Sequence, residues 1–279
     1  MKKITFTCLF PALTILASCS SESDAPSLIP EPTEVRLTFT HYDVNPITRS
    51  AISIADVVNR LDVWFVSGSD TIAVHSSLSD DDFGVVTATL DKTKTYNLYA
   101  VGHKCAAAAT LANGIINFPD DKVTHSMYFT TTFSPSTTTS LSCLMQRIVA
   151  QFRIATTDAV PADMKKIQIT INDVFDRWSV ATGGTHQVDR TYTINITSTA
   201  QDGTVALNVF AIVTDAQTLH TVTVTGLDAD DAVTLTPRTF ADVPLRNGYR
   251  TTYRGALRDA ITTATFTVDD WNDYDVVEF

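Results

Sequence analysis

The residues able to do chemistry are scattered along the chain. Six histidines (His41, His75, His103, His125, His186 and His220) lie far apart, and none has the i, i+4 spacing that sets two imidazoles on one helix face to hold zinc. No Gly-x-Ser-x-Gly elbow exposes a nucleophilic serine, and no glycine-rich loop is present to cradle a phosphate. A triad assembled from distant loops would leave no linear trace, yet no spacing here calls for one. The sequence therefore reads as a non-enzyme with no catalytic residue and no cofactor. Three acidic runs, Asp80-Asp81-Asp82, Asp228-Ala229-Asp230-Asp231 and Asp269-Asp270-Trp271-Asn272-Asp273, offer oxygen ligands of the kind Ca²⁺ prefers. Neighbouring carboxylates cannot all face one ion, and none of the runs has EF-hand spacing. They read as solvated loops, and no metal site is assigned.

The cysteines divide by position. Lys2 and Lys3 precede an apolar stretch, residues 4–17, of signal-peptide length and too short to span a bilayer. It ends in Leu16-Ala17-Ser18-Cys19, which resembles the bacterial lipobox. That resemblance implies removal of residues 1–18 and diacylation of Cys19, which then becomes the first residue of a chain held firmly at a membrane. Residues 19–33 are rich in Ser, Glu, Asp and Pro and read as a polar tether. Its start, Ser20-Ser21-Glu22-Ser23-Asp24, resembles the surface-export signal of Bacteroidota lipoproteins. Cys105 and Cys143 remain in the body of the chain. They form one disulfide in an oxidising compartment or stay as two separate buried thiols; the sequence leaves both open.

The elements that must carry these residues are strands. Of 279 residues, 44% are hydrophobic and 18% charged, enough to bury a core. Lys plus Arg number 20 against 31 Asp plus Glu, a net charge of −11, which argues against a nucleic-acid partner. Thr is roughly one residue in six, a β-rich bias. Period-two alternation begins at Val35, Leu37 and Phe39. It recurs at Leu61, Val63 and Phe65, with Asp62 and Trp64 facing the other way, and again at Ile167, Ile169 and Ile171 and at Val222 and Val224. Turn signals separate the runs, among them Gly68, Asn113-Gly114, Gly183-Gly184, Gly226 and Asn247-Gly248; Asp202-Gly203 is the strongest hairpin signal. Helix is scarce: residues 54–60 fit one or two turns, and 104–112 fit either a short helix or a loop. The apolar-free stretch Ser134-Pro135-Ser136-Thr137-Thr138-Thr139-Ser140 reads as a linker or long loop. A boundary there gives an N-terminal sandwich at 34–138 and a C-terminal one at 139–279, all-β and antiparallel.

Together these features resemble the fimbrillin-like family of Bacteroidota, the subunits of lipoprotein-derived (type V) fimbriae. The likeness is carried by residues 35–49 (VRLTFTHYDVNPITR), 57–67 (VVNRLDVWFVS), 144–154 (LMQRIVAQFRI, similar to the strand opening the family's C-terminal domain), 244–257 (PLRNGYRTTYRGAL) and 266–271. The resemblance implies two tandem transthyretin-like, Greek-key sandwiches. It also implies a cell-surface role at the outer membrane, with other fimbrial subunits as partners and host or bacterial surface ligands as possible targets.

It further implies an assembly mechanism. An Arg-specific protease removes the first strand, and a C-terminal strand of the next subunit fills the groove left behind. Carried onto this sequence, the cut falls at Arg49-Ser50, the departing strand is the one bearing Val35, Leu37 and Phe39, and the donor is the tail bearing Val276, Val277 and Phe279. The family more often has Ala or Thr after the Arg. Tyr42-Asp43-Val44-Asn45 is similar to a stretch in fimbrial anchor subunits, which keep their lipid and are not cut. A stand-alone surface lipoprotein binding glycan or host protein through exposed loop aromatics such as Tyr128, Trp178 or Trp271 is the alternative.

Overall fold

The computed structural model describes residues 31–42, 51–196, 206–257 and 266–270. The fold is all-β: among these residues the only helical elements are two short 3-10 turns.

Alternation becomes strand where it is expected. β1 (Pro32–Tyr42) buries Val35, Leu37 and Phe39 to 2% exposure or less, while Arg36 and Thr38 between them face solvent. On one side β1 pairs antiparallel with β5 (Val85–Asp91), and on the other it pairs parallel with β10 (Ser140–Arg147). Its last three residues pair with the short β2 (Ala51–Ser53). The facing layer runs β4 (Asp70–Ser77), β3 (Arg60–Ser67), β6 (Tyr96–His103), β9 (Met127–Phe133), antiparallel throughout. β10 bends between the layers, leaving β1 after Met145 and meeting β9 through Gln146 and Arg147. Val35, Leu37, Phe39, Leu61, Phe65 and Leu98 meet in the core between them.

The second half repeats this order. β11 (Ala150–Thr156) pairs antiparallel with β14 (Ala206–Ala211) and parallel with β17 (Tyr249–Gly255). Opposite lie β13 (Gly183–Asn195), β12 (Lys166–Ser179), β15 (Thr218–Leu227) and β16 (Val233–Leu245) in that sequence, all antiparallel. Thus β5-β1-β10 over β4-β3-β6-β9 is matched, strand for strand, by β14-β11-β17 over β13-β12-β15-β16. β18 (Phe266–Asp270) adds to the free side of β17. Phe152, Ile154, Ile167, Ile169, Val222 and Val224 form this half's core.

Several expectations need correction. The sheets are not purely antiparallel, since β1–β10 and β11–β17 run parallel. Residues 134–139 are a loop joining β9 to β10, and both strands belong to the first half. β10 therefore lies beyond the expected 138/139 boundary, yet its Cys143 and Met145 alternate into the first core. The segment 144–154 is two strands, broken at Ile148 and Val149. Gly226 lies inside β15 at a register irregularity, where a Cβ would sit 2.5 Å from Met164 Cε. Residues 54–60 keep one 3-10 turn, Ile54–Asp56, capped by Ser53 Oγ accepting from Ala55 N. Residues 104–109 are loop, leading into β7 (Thr110–Ala112). Asp202-Gly203 lies outside the described residues.

β7 and β8 (Ile115–Asn117) form a hairpin on Asn113-Gly114, whose φ angles of 51° and 73° are those a two-residue type I′ turn requires. This hairpin leaves the first half and pairs through β8 with the end of β12, residues Arg177–Ser179. A third core forms where it docks, from Trp64, Val101, Ile116, Phe118, Trp178 and Phe210. That core explains β3, in which Leu61, Asp62, Val63, Trp64 and Phe65 are all at most 3% exposed, so both faces of the strand are covered.

Candidate strand-exchange site

β1 is a central strand. Arg36 N donates to Thr139 O at 2.9 Å on the β10 side, and Phe39 N donates to Gly84 O at 2.8 Å on the β5 side. Seven residues of β1 are in register with β5 and six with β10. The inward side chains Val35, Leu37 and Phe39 contribute about 1.5–3 kcal/mol each by burial. Removing β1 would open an apolar slot flanked on both sides by unpaired backbone groups, the two features that capture another strand. His41 closes its far end, 5% exposed, with Nδ1 3.3 Å from Met145 O.

The other named positions distribute as follows. Cys19, Arg49, Ser50, Val276, Val277, Phe279 and Trp271 lie outside the described residues. Cys105 and Cys143 are free and buried, two separate thiols. Cys143 lines the slot beside Phe39, and burial pushes its thiol up to about 12. Cys105 Sγ donates to Lys122 O at 3.3 Å. Tyr128 and Trp178 are not loop aromatics: they sit on β9 and β12, pack at 5.4 Å between ring centroids, and close the third core, with Trp178 only 9% exposed. Two of the acidic runs are spent on turns. Asp80 accepts from Ser77 N at 2.8 Å, and Asp228 accepts from Asp230 N and Ala232 N at 2.8 and 2.9 Å.

The polar groups the sequence did not bring together are three Asp–His contacts across strands, two at Asp62 and one at Asp176. Asp62, with no exposed surface, accepts from His75 Nδ1, His103 Nε2 and Ala109 N, each at 2.7 Å. Burial pushes its carboxyl up, but the bonds from His103, Ala109 and His75 outweigh that and hold it below the usual value. Cys105 N donates to His103 Nδ1 at 3.1 Å, so His103 keeps its proton on Nε2. Asp176, 4% exposed, holds His186 Nδ1 at 2.8 Å on the topologically matching β12–β13 hairpin. Each of these bonds fixes the orientation of an imidazole ring on its hairpin. A polar linear signal did exist for Asp62: an acid inside the otherwise apolar run 61–66 must find buried partners.

One open cleft of about 730 Å³ lies between β13, β14 and the loop 118–124, lined among others by Lys104, Lys122, Arg190, Asp120, Asp189 and Tyr192. The Tyr192 hydroxyl donates to Phe210 O across it, tying the two edge strands together.

No protein-family model matches the chain, and no curated protein sequence does. Solved structures do match. A "putative adhesin" of Bacteroides thetaiotaomicron superposes with a TM-score of 0.53 at 14% identity, over 87% of this chain and 97% of the other. A "putative cell adhesion protein" of Bacteroides ovatus gives 0.51 at 12% identity, over 90% and 100%. A structure described among "putative polysaccharide binding proteins" of Bacteroides thetaiotaomicron gives 0.52 at 8% identity, over 86% and 98%. These likenesses span nearly the whole of each partner, so the chain shares the all-β fold of these Bacteroides structures.

Proposed function

We propose that this chain is a lipid-anchored structural or adhesive subunit of a cell-surface fimbria, built as two tandem sandwiches and displayed on the outer membrane. In this reading Cys19 carries the lipid, Arg49-Ser50 is the processing site, β1 is the exchangeable strand, and the tail with Val276, Val277 and Phe279 is the donor. The observation that carries it is the position of β1 at the centre of its sheet, paired on both sides and with its apolar face buried in the first core. The repeated strand order supports the tandem arrangement, and the adhesion proteins of like fold support the surface role.

The same geometry sets a condition on the mechanism. A strand bonded on both sides does not leave by itself once its connection to β2 is cut; an incoming strand must displace it. The uncut, anchored form is the same molecule with that displacement not begun. Treating the lipidated chain with an Arg-specific protease, alone and with a peptide of the tail sequence, tests this. The expected result is a single cut after Arg49, with the β1 fragment retained until the peptide is added. Cleavage elsewhere, or prompt loss of the fragment without peptide, would overturn it.

The alternative, a stand-alone glycan or host-protein binder, has the likeness to the polysaccharide-binding structure and the cleft beside Arg190 in its favour. It loses two of its three named aromatics as exposed loop residues, since Trp178 lies in the third core and Tyr128 packs against it.

A further inference from the structure

The edges of the sheets are not equally defended. A free strand edge invites another strand, and proteins blunt it with proline, charge, bulges or cover. β16 carries Pro237 and Pro244, a left-handed Asp242 (φ 56°) and three register irregularities. β13 carries a left-handed His186 (φ 60°) and, at Asp189, faces the irregularity between Ile171 and Val174 of β12. β5 is closed at both ends, by Val85 N donating to Asp82 O and Asp91 N donating to the Tyr96 hydroxyl. β4 is charged only at its first residue, Asp70, which Lys94 Nζ meets at 2.7 Å, and has none of these devices between Thr71 and His75. Its eight residues, DTIAVHSS, pair with β3 in unbroken register and contain no proline, lysine, arginine or left-handed residue. Residues 70–73 are all exposed, Ile72 at 38%.

The β3–β4 turn fixes which backbone groups are free. Gly68-Ser69 is a two-residue turn with Gly68 at φ 61°, so Ser67 and Asp70 form the first hydrogen-bonded pair. Asp70, Ile72, Val74 and Ser76 then turn their backbone groups toward β3; the ladder continues in phase with Leu78 N donating to Asn59 O at 2.8 Å. Thr71, Ala73 and His75 turn theirs outward. The end at Ser77 is closed by Asp80, which accepts from Ser77 N while Asp80 N donates to Ser77 O. Among the described residues, the free edge is therefore the run Thr71–His75. It is held straight from the side by His75, whose ring is bonded to Asp62 and meets the edge of Trp64 at 6.3 Å.

We propose that this edge pairs with β4 of a second copy of the chain, antiparallel, about a two-fold axis at Ala73. In that register every outward residue meets an outward residue: Ala73 faces Ala73, and Thr71 faces His75 twice. The inner face sets Ile72 against Val74, an apolar pair, and Asp70 against Ser76. No two like charges are opposed, and the smallest side chain of the strand lies on the axis. Six backbone hydrogen bonds would join two four-stranded layers into one of eight.

Disulfide trapping of the full-length chain in detergent tests this. An Ala73→Cys variant should give a disulfide-linked dimer under mild oxidation, because the two positions face each other within bonding distance across the axis. A Thr87→Cys variant on the β5 edge should not, and the wild type should not, its Cys105 and Cys143 being buried. In sedimentation, Ala73→Pro should halve the particle's protein mass while leaving the thermal midpoint nearly unchanged, since the N–H it removes points away from β3. A wild-type chain monomeric at every concentration would overturn the proposal. So would dimers that survive Ala73→Pro, or trapping at Thr87→Cys but not at Ala73→Cys.

Discussion

β1 and β11 open the two halves of the molecule and occupy the same place in them. Each pairs antiparallel with one neighbour and parallel with the other, and each buries its inward residues almost completely: Val35, Leu37 and Phe39 in one, Phe152 and Ile154 in the other. The difference lies in their connections. β11 is continuous with β10 through Ile148 and Val149, which are themselves buried in the third core at 4% and 0% exposure. β1 has the long N-terminal segment on one side and residues 43–50, with Arg49, on the other. In the exchange proposed above, it is this link, rather than the strand's own packing, that would set β1 apart from β11.

That comparison can be broken in several ways. Phe39→Ala and Phe152→Ala should cost about the same, roughly 3–5 kcal/mol each in denaturant unfolding. After cutting at Arg49, only Phe39→Ala should speed displacement of a strand. A cost at Phe39 far below that at Phe152 would mean that β1 is not a true core strand. The two Asp–His hairpins give the next test. Asp62→Ala leaves His103 and the Ala109 amide unpaired in the interior and should cost about 2–4 kcal/mol. Asp176→Ala frees one half-exposed ring and should cost about 1 kcal/mol, read by the same unfolding curves.

A pH series sharpens the contrast between the buried groups. His125 is held well below the usual histidine range, by burial first and then by the charges of Arg147, Lys104 and His41; its Nε2 accepts from Arg147 Nε at 3.0 Å. The unfolded chain binds a proton near pH 6.5 that the folded chain refuses. The stability His125 supplies is therefore intact above that pH and falls as pH drops, by at most about 1.4 kcal/mol per pH unit. His125→Gln should flatten that slope. Asp62 acts lower: its depressed value keeps its contribution present above about pH 4 and loses it as pH falls through the folded value. The smallest effect belongs to β18, whose Val268 is 37% exposed; Val268→Ala should stay within about 0.5 kcal/mol.

Much of the fold is legible because one-sided burial writes a period of two. Val35, Leu37 and Phe39, or Ile167, Ile169 and Ile171, could hardly be anything but strands with one face inside. What is not legible is whatever depends on a second layer of contacts. Trp64 follows the same alternation and looks outward-facing, and Trp178 reads as an exposed loop aromatic; the hairpin β7–β8 covers both, and nothing local to either Trp announces it. The parallel partnership of β1 with β10 joins residues about a hundred positions apart, so no neighbouring pattern encodes it. The serine- and threonine-rich stretch at 134–140 looks like a linker because a polar loop within a sandwich and one between sandwiches have the same composition. Of the proposed strand-exchange site, the strand itself is readable, and its double-sided bonding is visible only in three dimensions.

The hairpin of residues 110–117 has a practical consequence for dissecting the molecule. Its β8 finishes the ladder at the tip of β12, so a fragment beginning at residue 139 would be made without that cover. The backbone of Arg177–Ser179 and the indole of Trp178 would then meet water, and such a fragment should aggregate. Co-expressing the missing piece, rather than optimising the boundary, is the remedy that the pairing of Arg177 with Asn117 suggests.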